Sequence, residues 1–200
     1  TDSALGITNS VMYALKKFGI EETDRTKLYK FIGPPLTESF EKFYGFTKEQ
    51  SLDGVKYYRE YYHDKGIYEN RVYDGLEEVL KKINEAGKQA IVATSKPEKY
   101  AKIIIDHFHL TQYFACVAGM EMDGGRGTKA QVITYALEKN DITDKSNVLM
   151  IGDREHDVIG AHENGLDCLG ILYGFGSRKE FEEAGADYIR ENVEDILQFV

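Results

Sequence analysis

Residues 148–157, VLMIGDREHD, join an apolar run to a cluster of acidic side chains. The apolar run stops at Gly152, which is typical of a short buried strand. Asp153 and Asp157 follow at once, and carboxylates at the end of a buried strand are costly unless a positive charge compensates them. The stretch therefore predicts a strand whose end holds a cation.

The same pattern continues on both sides of this strand. From about residue 72 onward, helical segments alternate with the short apolar runs KQAIVAT, ACVAG, NVLMIG, CLGILY and DYI. Such alternation indicates parallel strands joined by right-handed helical crossovers. We therefore predict an α/β fold, a Rossmann-like three-layer arrangement in which helices cover both faces of a parallel sheet.

Residues 4–71 carry a different pattern, which is helical throughout. Ile7 and Leu15 lie on one apolar stripe of a first helix. Thr47 with Gln50 three residues later forms a capping-box pattern, which opens a second long helix. We expect these residues to form an all-helical module beside the α/β core.

Composition limits the possible partners and the cellular compartment. The chain has 200 residues, a formal net charge of -9 and a pI of about 5.1, so we expect no nucleic-acid polymer as a partner. Cys116 and Cys168 lie far apart, which favours two buried thiols in a reducing compartment. Because the chain shows neither an apolar run of roughly 20 residues nor a signal-peptide pattern, we predict a cytoplasmic protein without a membrane partner.

The acidic strand end suits a hard cation better than a soft one. Ligands of open parallel sheets bind outside the carboxyl ends of the strands, where Asp153 lies. Carboxylate oxygens are the ligands that Mg²⁺ prefers. Zinc fits less well, because His156 and His162 are six residues apart rather than four.

Other polar residues follow neighbouring strands. Thr94 and Ser95 offer hydroxyl and backbone N–H groups just before Pro97, where a helix start would form an anion site. Lys129 follows the glycine-rich loop DGGRGT and opens a helix. Taken singly, these residues also fit a helix cap and a surface lysine. Neither GGRGTKA nor GFGSRK has the spacing of a nucleotide-binding glycine loop.

The order of these motifs is far more specific than any one of them. VATSKP, GGRGTKAQV and MIGDREHDVIGAHENG resemble the haloacid dehalogenase superfamily, and within it the phosphatases similar to phosphoglycolate phosphatase. The resemblance covers essentially the whole chain. FIGPPL, residues 31–36, is similar to a cap loop of the branch described as 5'-nucleotidases.

The resemblance implies a Mg²⁺-dependent phosphatase that hydrolyses a small phosphomonoester, either a nucleoside monophosphate or phosphoglycolate. It implies an α/β core formed by residues 1–3 and 72–200, with residues 4–71 as an inserted helical cap. A monomer or a homodimer is expected. The implied site comprises Thr94 and Lys129 as catalytic groups, Ser95, Gly33 and Pro34 for substrate binding, and Asp153 and Asp157 for Mg²⁺, with Asp157 as a ligand or a supporting acid.

Members of this family attack the phosphorus with an Asp from an Asp-x-Asp motif, forming an aspartyl-phosphate that water hydrolyses. By the resemblance, both Asp residues belong just before Thr1, at the end of the central strand of the sheet. Lack of that strand would leave two hydrophobic edges unpaired. We therefore expect the natural polypeptide to extend N-terminally by roughly ten to fifteen residues, the length of one strand and a loop.

Several alternatives remain open at the level of sequence. The same fold supports phosphosugar mutases and dehalogenases, and a chain without the nucleophile would be a phosphate-binding protein. Gly33 and Pro34 fit either a stiff loop entering the site or a tight turn between helices. The tyrosines of YYREYY, residues 57–62, fit either packing within the cap or stacking on a nucleobase.

Overall fold

The computed structural model describes residues 1–122 and 125–200. The chain forms two compact units, of which Thr1–Val72 is helical and Tyr73–Val200 combines helices with strands. Residues 1–3 group with the helical unit, since Asp2 forms an antiparallel bridge and a 3.1 Å ion pair with Arg71. The role of the first unit as a cap stays a prediction. Among the described residues, no helix is long and apolar enough to cross a membrane.

Local capping determines where the helices of the first unit begin. Asp2 Oδ1 accepts a hydrogen bond from the N–H of Ala4 at 3.1 Å, which satisfies the start of α1. Thr47 and Gln50 form the capping box that the sequence predicts at the start of α3. The helices are α1 (Ala4–Lys17), α2 (Leu36–Tyr44) and α3 (Lys48–Tyr61), with a 3-10 helix at Arg25–Phe31 and a π-helical turn at Tyr62–Gly66.

Aromatic side chains fill the interior of the helical unit. Tyr58 and Tyr62 stack with ring centroids 5.3 Å apart, and both are buried. Tyr57 packs edge-on against Phe18 at 5.7 Å. These contacts support the packing interpretation for Tyr58 and Tyr62, since buried rings cannot stack on a ligand, whereas Tyr57 and Tyr61 are only partly buried.

Within its described residues, the α/β unit contains five strands, each paired in parallel with a neighbour, which confirms the predicted fold class. Each predicted apolar run forms one strand, and helices separate the strands along the chain. The strands are β1 (Ala90–Pro97), β2 (Phe114–Met120), β3 (Leu149–Gly152), β4 (Asp167–Ile171) and β5 (Tyr188–Arg190). The helices are α4 (Leu76–Glu85), α5 (Glu98–His107), α6 (Lys129–Lys139), α7 (Glu155–Glu163) and α8 (Arg178–Ala184).

The strands form two separate sheets rather than one. β1 pairs with β2, whereas β4 lies between β3 and β5. Within the described residues, β1 and β3 therefore each keep an unpaired edge. The residues of β1 are all only partly buried, in contrast to Cys168 and Leu169 of the central strand β4, which are fully buried.

One apolar core holds the two sheets together. Val158 of α7 and Ile133 of α6 belong to a buried cluster against which both Ala93 of β1 and Met150 of β3 pack. Helix α6 also packs on β2 through Val132. The carboxyl ends of β1 and β3 are therefore held near each other by the helices that cover them.

Candidate active site

Lys129 is the cation at the centre of the site. It is the first residue of α6, which starts at a capping box between Thr128 and Gln131. Its Nζ donates to the carbonyl oxygen of Ala93 at 3.0 Å and lies 2.7 Å from Asp157 Oδ1. Gly160 gives the side chain room, because a Cβ there would lie 2.7 Å from Lys129 Cγ. Lys129 thus links the end of β1 to the start of α7.

Asp157 is buried, with 5% of its surface exposed, and both of its oxygens are engaged. Oδ1 faces Lys129, and Oδ2 accepts the backbone N–H groups of Asp153 at 2.9 Å and Arg154 at 3.1 Å. Gly152 is required beside it, since a Cβ there would lie 2.1 Å from Asp157 Cβ. Asp157 therefore holds the turn between β3 and α7 in place.

Asp153 lies at the same turn and is held by the segment after β4. The N–H of Phe175 donates to Asp153 Oδ2 at 3.0 Å. A Cβ on Gly174 would lie 2.3 Å from Asp153 Cβ, and one on Gly176 would lie 2.4 Å from the Asp153 carbonyl oxygen. Burial and the neighbouring Asp157 carboxylate raise the pKa of Asp153. An added cation would relieve this electrostatic cost.

Thr94 and Ser95 lie within β1, which extends beyond them to Pro97. Thr94 pairs with Gly119 of β2, and its Oγ1 accepts the N–H of Lys96 at 3.1 Å. Because a hydroxyl group both accepts and donates, Thr94 can still donate to a ligand oxygen. The sequence predicts that a helix begins at Pro97. In the structure α5 begins one residue later, at Glu98, and Pro97 occupies the N-cap position.

The structure thus brings together the polar strand ends that the sequence singles out. Thr94 directly follows Ala93, which binds Lys129, and Lys129 binds Asp157, which in turn holds Asp153. Ser95 continues the strand beside Thr94. Gly33 and Pro34 belong to the helical unit, where they join the 3-10 helix to α2, and Gly33 adopts a φ of 109°.

Other buried ionisable groups near the site are held in their neutral forms. Burial, with help from Asp153, raises the pKa of Tyr173 to about 12. Burial and the Asp157 carboxylate raise the pKa of Cys168 to about 12 as well. A thiol needs its thiolate form to attack, so Cys168 is unsuited to nucleophilic chemistry at neutral pH.

The sequence carries little local signal for the groups that support Asp153 and Asp157. Gly174 and Gly176 belong to GFGSRK, which lacks the spacing of a nucleotide-binding loop. Glu180, whose Oε1 accepts from Arg154 Nε and from the N–H of Glu155, both at 2.8 Å, gave no local signal. A glycine pair after an apolar strand is a usable signal for close backbone approach. The distant partner of that approach is not readable from spacing.

The available side chains fit a cation that takes only one or two of its ligands from the protein. Among residues 1–122 and 125–200, no group of three or more His, Cys, Asp or Glu side chains could hold a metal. Asp153 keeps acceptor capacity, because the Phe175 N–H takes one position on Oδ2 and a carboxylate offers about four acceptor positions. Mg²⁺ commonly uses one or two carboxylates and keeps several waters or substrate oxygens.

Comparisons with known proteins identify the family of the chain. Residues 1–171 match the family model of haloacid dehalogenase-like hydrolases. A 5'-nucleotidase from Pseudomonas aeruginosa is 43% identical over 180 residues, which cover 90% of this chain and 81% of that protein. A phosphoglycolate phosphatase from Vibrio parahaemolyticus is 22% identical over 169 residues, which cover 84% of this chain and 74% of that protein.

Solved structures give the same result. A predicted phosphatase from Clostridium acetobutylicum matches with a TM-score of 0.93 and 46% identity, covering 98% of this chain and 91% of that one. At this coverage the similarity extends through both units. The chain therefore belongs to the haloacid dehalogenase-like hydrolase family, as a phosphoric monoester hydrolase.

Proposed function

We propose that the protein is a Mg²⁺-dependent phosphatase that hydrolyses a nucleoside monophosphate. The observation that carries the proposal is the continuous set of contacts from β1 through Lys129 and Asp157 to Asp153. Such a set places a hydroxyl, an ammonium and a carboxylate at one edge of the sheets. These are the groups that phosphoryl transfer requires for positioning and charge stabilisation.

Asp153 is the proposed Mg²⁺ ligand, and its raised pKa supports this role. Without a cation, burial and the Asp157 carboxylate disfavour the ionised form of Asp153. A bound metal would offset that electrostatic cost, which favours metal binding. Asp157 is the second proposed metal residue. Because both of its oxygens are engaged with Lys129 and backbone N–H groups, we favour its role as the supporting acid. Bound Mg²⁺ would neutralise phosphoryl oxygens and polarise the phosphorus.

Lys129 and Thr94 are the proposed phosphate-binding groups. The Lys129 ammonium is fixed by Ala93 and Asp157, so it loses little further side-chain freedom when an anion binds. Thr94 would donate its hydroxyl proton to a phosphoryl oxygen, with Ser95 beside it as a further donor. Gly33 and Pro34 of the helical unit remain proposed substrate-binding residues of a cap domain, residues 4–71.

We further propose that the nucleophile lies on a strand that pairs with both β1 and β3. The unpaired edges of these strands and the partial exposure of β1 support this idea. Apolar edges left open are hazardous for a folded protein. In the proposed reaction, a carboxylate oxygen of the first Asp on that strand attacks the phosphorus and the bond from phosphorus to the ester oxygen breaks. The second Asp of the motif donates a proton to that oxygen, which leaves as the alcohol. Water then attacks the phosphorus of the aspartyl-phosphate and releases phosphate.

The substrate choice rests on the relatives. The relative named 5'-nucleotidase is 43% identical, whereas the one named phosphoglycolate phosphatase is 22% identical. We therefore place nucleoside monophosphates before phosphoglycolate. We keep the cytoplasm as the proposed location, because Cys116 and Cys168 are buried free thiols, as is usual in a reducing compartment.

The test is phosphate release from a panel of nucleoside monophosphates, phosphoglycolate and a phosphosugar, with Mg²⁺ or with a chelator. We expect the wild-type protein to hydrolyse the nucleotides. The chelator should abolish this activity, and Asp153→Asn should lack it. If the protein instead acts on a haloacid and keeps that activity in the presence of the chelator, it is a dehalogenase. Conversion of the phosphosugar into an isomer would indicate a mutase.

The intact mass of the natural protein tests the proposed strand. The chain described here has a mass of 22.7 kDa. A larger mass, accounted for by a segment bearing Asp-x-Asp, is the expected result. If the mass matches and ligand binds without turnover, the protein is a phosphate-binding protein instead.

A further inference from the structure

Glu180 of α8 contacts the turn that carries Asp153, although it lies far along the chain. Its Oε1 accepts a hydrogen bond from Arg154 Nε at 2.8 Å and from the N–H of Glu155 at 2.8 Å. The side chains of Arg154 and Glu180 are 21% and 20% exposed, so solvent screens this pair only in part. One carboxylate oxygen therefore binds the two residues that directly follow Asp153.

The start of α7 needs this contact. Arg154 is the residue before the helix, and an arginine side chain has no acceptor with which to cap it. Asp157 Oδ2 takes the N–H groups of Asp153 and Arg154, and Glu180 takes that of Glu155. Two carboxylates, one from α7 and one from α8, therefore satisfy successive backbone donors of the turn.

Glu180 is itself held in place. The hydroxyl of Ser177 caps α8 by accepting the N–H of Glu180 at 3.2 Å. The next residue, Phe181, is fully buried in the core cluster beside Val158 and Cys168. Gly170 of β4 makes room for its ring, because a Cβ there would lie 2.7 Å from Phe181 Cγ. A carboxylate on a fixed helix can impose a position on a neighbouring turn.

The segment between β4 and α8 acts on Asp153 at the same place. The Phe175 N–H orients the Asp153 carboxylate, and Gly174 packs against its Cβ. We propose that Glu180 is a positioning residue for the Asp153 metal site, acting through Arg154 and Glu155. This inference rests on the proposed Mg²⁺ site, and it adds α8 to the elements that determine metal affinity.

Isothermal titration calorimetry with Mg²⁺ on the full-length protein tests the proposal without relying on turnover. Glu180→Ala removes the acceptor, and we expect a Kd weaker by about tenfold to a hundredfold, as for other groups that orient metal ligands. Glu180→Gln keeps an oxygen within reach, so we expect a Kd within about threefold of wild type. Glu183→Ala is the matched control, since that exposed side chain lies on the same helix and pairs along it with Lys179 at 3.7 Å.

Glu180→Asp keeps the charge but withdraws the oxygen by one carbon. It serves if Glu180→Ala fails to fold, as judged by circular dichroism, and we expect its Mg²⁺ affinity to fall at least about threefold. Wild-type affinity in a folded Glu180→Ala or Glu180→Asp variant would overturn the proposal. Equal weakening by Glu183→Ala would overturn it too, because the effect would then come from the helix in general.

The experiment separates failure of this inference from failure of the proposed metal site. If the wild-type protein binds no Mg²⁺, or Asp153→Asn binds it equally well, the metal site itself is wrong and the positioning role falls with it. If Asp153→Asn loses Mg²⁺ while the folded Glu180 variants keep it, only the positioning role is wrong.

Discussion

Lys129 Nζ lies 2.7 Å from Asp157 Oδ1, and their side chains are only 11% and 8% exposed. The pair joins the first helical residue of α6 to the start of α7. A buried ion pair contributes little net stability when intact, but the loss of one partner leaves an uncompensated charge. The pair therefore couples the folding of the α/β unit to the position of the Lys129 ammonium.

Substitution of Lys129 by Ala should destabilise the protein by about 3 kcal/mol, because Asp157 would remain buried without its counter-charge. Urea unfolding at neutral pH measures this change. The control is Lys179→Ala, which removes an exposed ion pair whose side chains are 81% and 69% exposed and should change stability by less than about 1 kcal/mol. Equal effects of the two substitutions would show that the Lys129 pair is not buried in solution.

Asp153→Asn should stabilise the metal-free protein at neutral pH while abolishing Mg²⁺ binding. Burial and Asp157 raise the pKa of Asp153 above its ordinary value of 3.8. Stability linked to this group is thus fully present below the unfolded-state pKa and is lost as the pH rises through the folded-state value. At pH 7 the ionised carboxylate weakens the fold, and the amide does not.

Thermal unfolding of wild type and Asp153→Asn with and without Mg²⁺ checks this trade-off. Mg²⁺ at a hundredfold excess over its Kd should stabilise the wild type by about 2.7 kcal/mol and leave the variant unchanged. If Asp153→Asn is less stable than the wild type without metal, ionised Asp153 does not destabilise the fold as we expect.

Gly174→Ala should impair activity more than stability. The added Cβ would lie 2.3 Å from Asp153 Cβ and 2.5 Å from Oδ2, so the carboxylate must move. Misplacing a group at a reacting site costs up to about a hundredfold in rate, so we expect a loss of up to that order. Steady-state kinetics at saturating Mg²⁺, with urea unfolding of the same sample, measures both effects.

Gly87→Ala is the control for Gly174→Ala. Gly87 has a φ of 71° and open space around its Cβ position, so the substitution should cost about 1 kcal/mol in strain and leave the rate unchanged. If both variants lose activity in proportion to their stability, Gly174 does not act on Asp153 specifically.

Asp187→Asn should reduce stability at neutral pH and have a vanishing effect in acid. Burial of Asp187 opposes ionisation, but hydrogen bonds from His162 at 3.0 Å and from the Cys168 N–H at 2.8 Å outweigh it and lower the pKa. The stability from this ionised group is present above the unfolded-state pKa and is lost as the pH falls through the depressed folded-state value.

We expect the Asp187→Asn difference to stay below about 1 kcal/mol at pH 7, because the pair with His162 is partly exposed. Urea unfolding from pH 7 down to pH 3 follows the difference. A gap between wild type and variant that widens as the pH falls would have the wrong sign for a depressed carboxyl pKa.

Local patterns account for the parts of the molecule that could be predicted. The apolar runs became β1 to β5, because short apolar runs that alternate with helical segments favour the strands of a parallel sheet. Thr47 and Gln50 capped α3 because a capping box involves only neighbouring residues. The strand-end rule likewise singled out Asp153, which directly follows β3, because parallel strands point their carboxyl ends to one edge of a sheet.

The sequence by itself determined the order of strands and helices, the family resemblance and the polar residues at the strand ends. Only the tertiary structure decided that Gly174 lies against Asp153 and that Glu180 binds the turn beside it. Local periodicity reports which face of an element is buried, but not which distant element covers it. Contacts across 20 or more residues depend on how α7, β4 and α8 pack, and close packing sets that geometry.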